Sequence, residues 1–351
     1  MKRRFLSILL SLCLVVGLLP TAAFAQGKSY VALGDSITAG YGLADGEKAF
    51  PEIVAEAKGY ELTNLAVSGA TSQDLLGVVQ NSANTAVLAN ADLITITIGG
   101  NDLMGALYQF LADEYNSAKE TNISATDVQF ALEGKNQAIL QTEMLTFAAG
   151  VISGFAASDA AEEALTNFGQ NLNSIIAAIR TANPDVTIIV ANQYNPYTFL
   201  AKDPLLAILG YSDKMQAVVD AFDAGLTQLN GAINQGEAMG MYSVAGVYEA
   251  FGGATQNPCN ASVSMEAMSL NLDFHPNAYG HELIAGVINN LLPEGEEPGG
   301  DEEPQSPAES LYVNGVDILA AENHTVTCGG GTAEYDTAIA AYLKKQLESA
   351  E

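Results

Sequence analysis

Residues 27 to about 292 alternate short, nearly unbroken apolar runs with longer stretches whose apolar side chains recur every three or four positions. The short runs are Tyr30–Leu33, Leu62–Val67, Leu93–Ile98, Val186–Ala191 and Tyr242–Val247, mostly Val, Ile, Leu and Ala with Thr. A strand with one wet face would alternate polar and apolar residues. These runs do not, so they predict strands buried on both faces. The helical period is plain in Ala164–Arg180 and Met215–Asn234. Strand and helix in alternation predict an α/β domain with a central parallel sheet and right-handed crossovers. A stretch of about 265 residues is ample for one large core.

Two connections are longer than a crossover requires: Leu103 to about Phe168, and Tyr197–Ala217. Both mix Leu, Phe, Met and Tyr with acids, and predict helical insertions over the carboxyl edge of the sheet. Such helices can wall an apolar pocket or simply pack on one another. The pattern leaves both readings open.

The two ends of the chain are different material. Residues 1–25 combine Lys2, Arg3 and Arg4, an apolar stretch from Phe5 to Leu19, and Ala23-Phe24-Ala25, which predicts a signal peptide cut after Ala25 and a secreted protein. The apolar stretch is too short for a membrane span, and no later one predicts a transmembrane anchor. Residues 293–309, PEGEEPGGDEEPQSPAE, are acidic and rich in Pro and Gly, and predict an extended linker. The last segment, 310–351, carries a strand-and-turn signal at Leu311–Asp317, a Cys-Gly-Gly-Gly run from Cys328 and a predicted helix from Tyr335. It is short for an independent domain. Its role is not legible, although an appended segment on a secreted protein suits association with the cell surface.

The net charge of −28 falls to about −31 once the three cations of the signal are removed. So acidic a surface argues against nucleic acid as a partner, because phosphates are held by Lys and Arg. Cys259 and Cys328 are the cysteines left after cleavage, enough for one disulfide but not for a disulfide-built scaffold. No His/Cys spacing suggests zinc, and no phosphate-binding glycine loop follows the first strand. The chain thus predicts neither metal nor organic cofactor.

Four short blocks could carry chemistry. Tyr30–Leu33 runs into Gly34-Asp35-Ser36, which places a hydroxyl at a strand's carboxyl end beside free helix N–H groups. A second strand ends near Ser68-Gly69-Ala70, where Gly69 can offer its N–H. A third runs into Gly99-Gly100-Asn101-Asp102, and would aim the Asn101 amide over the same edge. The fourth block is Asp273-Phe274-His275-Pro276-Asn277, in which Pro276 stiffens the loop that holds His275. Taken singly, each has an ordinary reading as a helix cap, a turn or a satisfied structural histidine. His281 is read as packing or hydrogen-bonded, and His324 as exposed. Together the four supply a nucleophile, two oxyanion donors and a base with a carboxylate nearby, the set that acyl transfer needs.

In these blocks and their order the chain resembles the GDSL esterase/lipases of the SGNH hydrolase superfamily, over residues 29 to about 292. The resemblance implies a flavodoxin-like three-layer α/β/α fold and serine ester hydrolysis. It implies Ser36 as nucleophile, His275 as base, and Ser36 N–H, Gly69 N–H and the Asn101 side chain as the oxyanion hole. The family often places its aspartate three residues before the histidine, where this chain has Leu272. Asp273, two before, is the candidate third member, and a Ser-His dyad is the alternative. The apolar insertions suit acyl chains of lipid or aryl esters. Deacetylation of a glycan is the close alternative, and an inert extracellular binding protein the distant one.

Overall fold

The computed structural model describes residues 27–264 and 269–293, and the backbone of four short strands between 312 and 334. The signal peptide, most of the linker, His324 and the helix expected from Tyr335 lie outside the described residues. The chain divides into two units between residues 294 and 295.

The first unit is built on five parallel strands, β1 (Ser29–Gly34), β2 (Glu61–Asn64), β3 (Leu93–Thr97), β4 (Thr187–Ala191) and β5 (Ser243–Ala245), in the order β2-β1-β3-β4-β5. Registers run Tyr30 with Leu62 and Leu93, Ile94 with Ile188, and Val190 with Val244. The chain winds outward one way from β1 to β2 and the other way from β3, so the switch point lies between β1 and β3. In such sheets ligands bind in the crevice that opens there at the carboxyl ends.

Alternate side chains of each strand enter opposite layers, which is why the strands read as continuous apolar runs. Tyr30, Ala32, Ile189 and Ala191 pack with Phe50 and Val54 of a helix at Phe50–Lys58, and with Ile284 and Ile288 of the last helix of the unit, Ala278–Asn289. Val31, Leu33, Ile94, Ile188 and Val190 face the other way, onto Leu75, Leu103, Phe168, Ile175 and Leu229. This is the three-layer α/β/α arrangement. Numbered in chain order, the helices are α1 (Ser36–Ala39), α2 (Phe50–Lys58), α3 (Ser72–Gln80), α4 (Thr85–Ala89), α5 (Gly100–Lys119), α6 (Ala125–Leu132), α7 (Gln141–Val151), α8 (Asp159–Ala182), α9 (Thr198–Ala201), α10 (Pro204–Leu209), α11 (Ser212–Ala238), α12 (Val247–Gly252) and α13 (Ala278–Asn289).

The two long connections are helical. The first comprises most of α5, then α6, α7, a 3-10 turn at Ile152–Ala157 and the start of α8; the second comprises α9, α10 and the start of α11. β2 stops at Asn64, short of the expected Val67; the Asn64 side chain accepts from Ala66 N (3.0 Å), while Leu65 N and Val67 N still donate to Ala32 O and Gly34 O of β1 (2.8 and 3.0 Å). The second unit holds two antiparallel pairs, Tyr312–Val313 with Val316–Asp317 and Thr325–Cys328 with Gly331–Glu334. Among the described residues no single helix is long and apolar enough to cross a membrane.

His281 on α13 is fully buried, and its Nδ1 accepts from Phe50 N at 3.2 Å. Burial, helped by the His275 charge, pushes its pKa down to about 4. The unfolded chain therefore takes up a proton between about pH 6.5 and 4 that the folded chain refuses, so this group removes up to about 3 kcal/mol of stability as pH falls through that window. Buried Asp35, its pKa raised to about 6, acts in the opposite direction over part of the same range. A difference experiment isolates the histidine. His281→Asn keeps a side-chain oxygen for Phe50 N and should gain stability relative to the parent between pH 7 and 4, read from urea midpoints. A constant difference across that range would refute the assignment.

Candidate active site

β1 ends because Gly34 adopts φ +140, where a Cβ would collide with the Thr97 carbonyl of the neighbouring strand. Asp35 then caps α1, its Oδ1 accepting from Ile37 N (3.0 Å) and from the Thr97 hydroxyl (2.9 Å). Burial raises the Asp35 pKa to about 6, against the lowering pull of those two bonds and of His275. The Thr38 hydroxyl donates to Leu33 O (3.1 Å) and ties the turn back to its own strand. Ser36 is thereby held as the first residue of α1, 5 % exposed, at the β1 end of the switch point.

His275 arrives from the other end of the chain. Cys259 and Pro276 form an isolated bridge, with Asn260 N donating to His275 O (2.9 Å) and Asn277 N to Pro258 O (3.0 Å). Asn277 caps α13 by accepting from Gly280 N (3.1 Å), and its amide donates to the Asn257 and Cys259 carbonyls. Two tyrosines after β4 brace the same loop, Tyr194 donating to Phe274 O (3.0 Å) and Tyr197 to Leu272 O (3.1 Å). So fixed, His275 Nε2 lies 2.9 Å from Ser36 Oγ.

Asp273 completes a line. Its Oδ1 is 2.6 Å from His275 Nδ1 and also accepts from His275 N (3.1 Å). Partial burial pushes its pKa up, but the bonds from the His275 ring and backbone, with the His275 charge, outweigh this and hold it below the usual carboxylate range. A carboxylate on Nδ1 fixes the Nδ1–H tautomer and leaves the Nε2 lone pair toward the hydroxyl. The Tyr41 and Phe274 rings each lie 4.5 Å from the imidazole, centroid to centroid.

Gly69 sits at φ +82 in a tight turn closed by Ala70 N donating to Val67 O (3.0 Å), exposed at the same edge. Asn101, in the first turn of α5, spends one amide proton on Ala70 O (2.9 Å). Ser36, Gly69, Asn101, Asp273 and His275 all border one cavity of about 510 Å³. The structure thus brings together all five candidate residues, drawn from four separated segments.

Beyond these polar groups the cavity is largely apolar. Leu107, Leu111, Leu145, Ala148 and Ile152 come from the first insertion, and Met215, Val218 and Phe222 from α11. Lys135 (bonded to Glu133 at 2.8 Å) and Gln129 also border it. The insertion helices are therefore pocket walls as well as packing partners. Cys259 is buried and its thiol is pushed far up by that burial, so it is not a nucleophile at ordinary pH. Among the described residues there is no group of three or more His, Cys, Asp or Glu able to hold a metal ion.

Motif reasoning did not find Tyr194, Tyr197, Ser72 and Asn171, which touch the site's loops only through tertiary bonds. Asp102 was visible in the Gly-Gly-Asn-Asp run but not its partner, because the bond it makes joins two different loops.

A flavodoxin-like sheet with a hydroxyl, imidazole and carboxylate aligned at its switch point defines an α/β protein equipped as a serine hydrolase is. The chain belongs to the GDSL-like Lipase/Acylhydrolase family, which it matches over residues 32–283. An uncharacterized protein of Bacillus subtilis strain 168, YpmR, is 24 % identical over 312 residues, spanning 83 % of this chain and 97 % of that one. Among solved structures the chain is similar to phospholipase A1 from Streptomyces albidoflavus NA297 (21 % identity, 75 % of this chain and 99 % of that one, TM-score 0.49). It is also similar to an extracellular lipase from Streptomyces rimosus (22 %, 76 % and 100 %, TM-score 0.46).

Proposed function

We propose that this protein is a secreted serine hydrolase of carboxylic esters whose acyl chains are of medium or greater length. The observation that carries the reading is the line Ser36 Oγ–His275 Nε2 at 2.9 Å and His275 Nδ1–Asp273 Oδ1 at 2.6 Å. Neutral His275 takes the Ser36 proton as Oγ bonds to the ester carbonyl carbon, and Asp273 stabilises the imidazolium that results. The negative charge moves to the carbonyl oxygen, where the N–H groups of Ser36 and Gly69 and the second Asn101 amide proton receive it. The tetrahedral species collapses, the carbon–alkoxide bond breaks, and His275 gives its proton to the leaving alcohol. Water repeats the sequence on the acyl-enzyme, releasing the acid and restoring the Ser36 hydroxyl.

The apolar side chains that the insertions and α11 bring to the cavity support the acyl preference over deacetylation of a glycan, for which Gln129, Glu133, Lys135 and Asn271 at the same cavity would be the polar partners. Its volume falls in the usual range of ligand sites, about 300–1,000 Å³. Each methylene buried is worth about 0.8 kcal/mol, or about fourfold in kcat/KM. With 4-nitrophenyl esters, kcat/KM should therefore climb from acetate through octanoate before it levels. Ala148→Leu, which puts three more carbons into the cavity, should move that plateau to shorter chains and spare the acetate. A profile highest at acetate, with acetylated glycans as the better substrates, would replace this reading by the deacetylase one. Secretion behind a cleaved leader, and a surface-associating role for the segment after residue 310, belong to the same proposal.

A further inference from the structure

Backbone bonds anchor the Gly69 turn on its upstream side, Val67 N donating to Gly34 O (3.0 Å) and Ala70 N to Val67 O (3.0 Å). Ser68 and Gly69 are exposed, and a side chain at Gly69 would extend into open space. From Ala70 onward the strand-to-helix connection is held by side chains of other elements. Asn101 Nδ2 donates to Ala70 O (2.9 Å), and Asp102 takes both donors of Ser72, N at 2.9 Å on Oδ2 and Oγ at 2.5 Å on Oδ1. Asn171, midway along α8, donates its amide to the same Ser72 Oγ at 3.0 Å. Ser72 is fully buried, while Asn101, Asp102 and Asn171 are half-buried around it. A charged acceptor shared by a backbone and a hydroxyl donor is among the stronger neutral-to-ion arrangements a protein can make.

We infer that Asp102, through Ser72 and with Asn171, is the positioning residue that sets the distance between the two outlying oxyanion donors, Gly69 N–H and the Asn101 amide. The inference rests on reading those two groups as the oxyanion hole. The physical argument is one of register. Gly69 belongs to the loop before α3 and Asn101 to the start of α5, and the sheet ties them only through β1, its last links being Val67 N to Gly34 O, two residues before Gly69, and the pairing of Gly34 with Thr97, four before Asn101. Asp102 is adjacent to Asn101 in the chain and bonded to the residue three after Gly69. One carboxylate therefore locks the start of α3 to the first turn of α5 and fixes the two donors as a unit. An oxyanion hole works because its donors need no reorganisation when charge develops, and a displacement of about 1 Å in such a group costs about 10²-fold in rate.

The same bonds would serve stability alone if Asp102 were only a cap for α3, so the test must separate the two roles. Asp102→Ala should lower kcat for 4-nitrophenyl octanoate by about 10²-fold with KM little changed, since a donor placed for the transition state does not hold the ground state. Asn101→Ala should lower kcat by about 10²- to 10³-fold. The double variant should lose much less than the product of the two, because a misplaced hole has less left to lose. Asp102→Asn, which can still accept from Ser72 N and can donate to Ser72 Oγ, should recover most of the rate. Ser72→Ala, which keeps the backbone bond, should fall between, and guards against a variant that fails to fold.

Three results decide the matter. Sub-additive losses with rescue by Asp102→Asn support the positioning role. Losses that multiply, or an Asp102→Ala variant that turns over normally while Asn101→Ala is slow, overturn it and leave the oxyanion hole intact. A normal rate in Asn101→Ala, with Ser36 still labelled by an organophosphonate, overturns the oxyanion reading of Asn101 and this inference with it.

Discussion

Ser36→Ala is expected to abolish ester turnover, lowering kcat by about 10⁶-fold, while the protein stays folded. The side chain is small and its one hydrogen bond runs to His275, so its loss leaves neither a sizeable cavity nor a stranded backbone group. Alanine has no nucleophile to form the acyl-enzyme, so the residual rate is only what the oxyanion donors and binding lend to attack by water. The measurement is hydrolysis of 4-nitrophenyl octanoate beside labelling with an organophosphonate, the adduct being located by mass spectrometry. Wild type should carry one phosphonyl group on Ser36 and the variant none. Turnover within tenfold of wild type would mean that another group attacks the ester.

Asp273→Asn carries the second-largest effect, a fall in kcat of about 10⁴-fold. One oxygen, Asp273 Oδ1, serves both His275 N and the ring, so an amide N–H turned to Nδ1 gives up the backbone bond and leaves Tyr194, Tyr197 and Asn277 to hold the loop on its course. What changes is the ring. An amide N–H turned to Nδ1 makes that nitrogen the acceptor and places the proton on Nε2, where it faces Ser36 and cannot take the hydroxyl proton. Because the Asp273 pKa is held below the usual range, the carboxylate stays ionised down to low pH and the acid limb of the rate profile does not belong to it. A loss of tenfold or less would make the site a Ser-His dyad, with the ring oriented by the loop that Tyr194 and Tyr197 brace.

Much of this was open to inspection in the linear chain. β1, β3 and β4 are covered on both faces, so burial writes itself as continuous runs of Ile, Leu and Val that no helix period mimics. Gly34, Ser36, Gly69 and Asn101 follow strands closely in the chain, and parallel winding delivers all strand ends to one edge. The reach from Ser36 to His275, 239 positions away, follows from motif order and is closed at hydrogen-bond distance. Edge strands were less clear: β5 is three residues long, and β2 ends at Asn64 while its backbone bonds to β1 run on to Val67, since a strand paired on one side is less constrained along its length.

Amino-acid order alone predicted an α/β domain on a parallel sheet and singled out the candidate groups at its strand ends, because period and chain-local turn chemistry are short-range properties; the flavodoxin-like winding was implied by the family resemblance. That Asp273 lies within hydrogen-bond distance of the His275 ring, that the insertions wall a cavity, and that Asp102, Ser72 and Asn171 bind two loops into one frame are visible only in the fold. The last of these depends on side chains 30 to 99 positions apart meeting within about 3 Å, and a contact of that kind leaves no period or spacing in a single chain; the first spans two positions but turns on the rotamers the folded loop imposes.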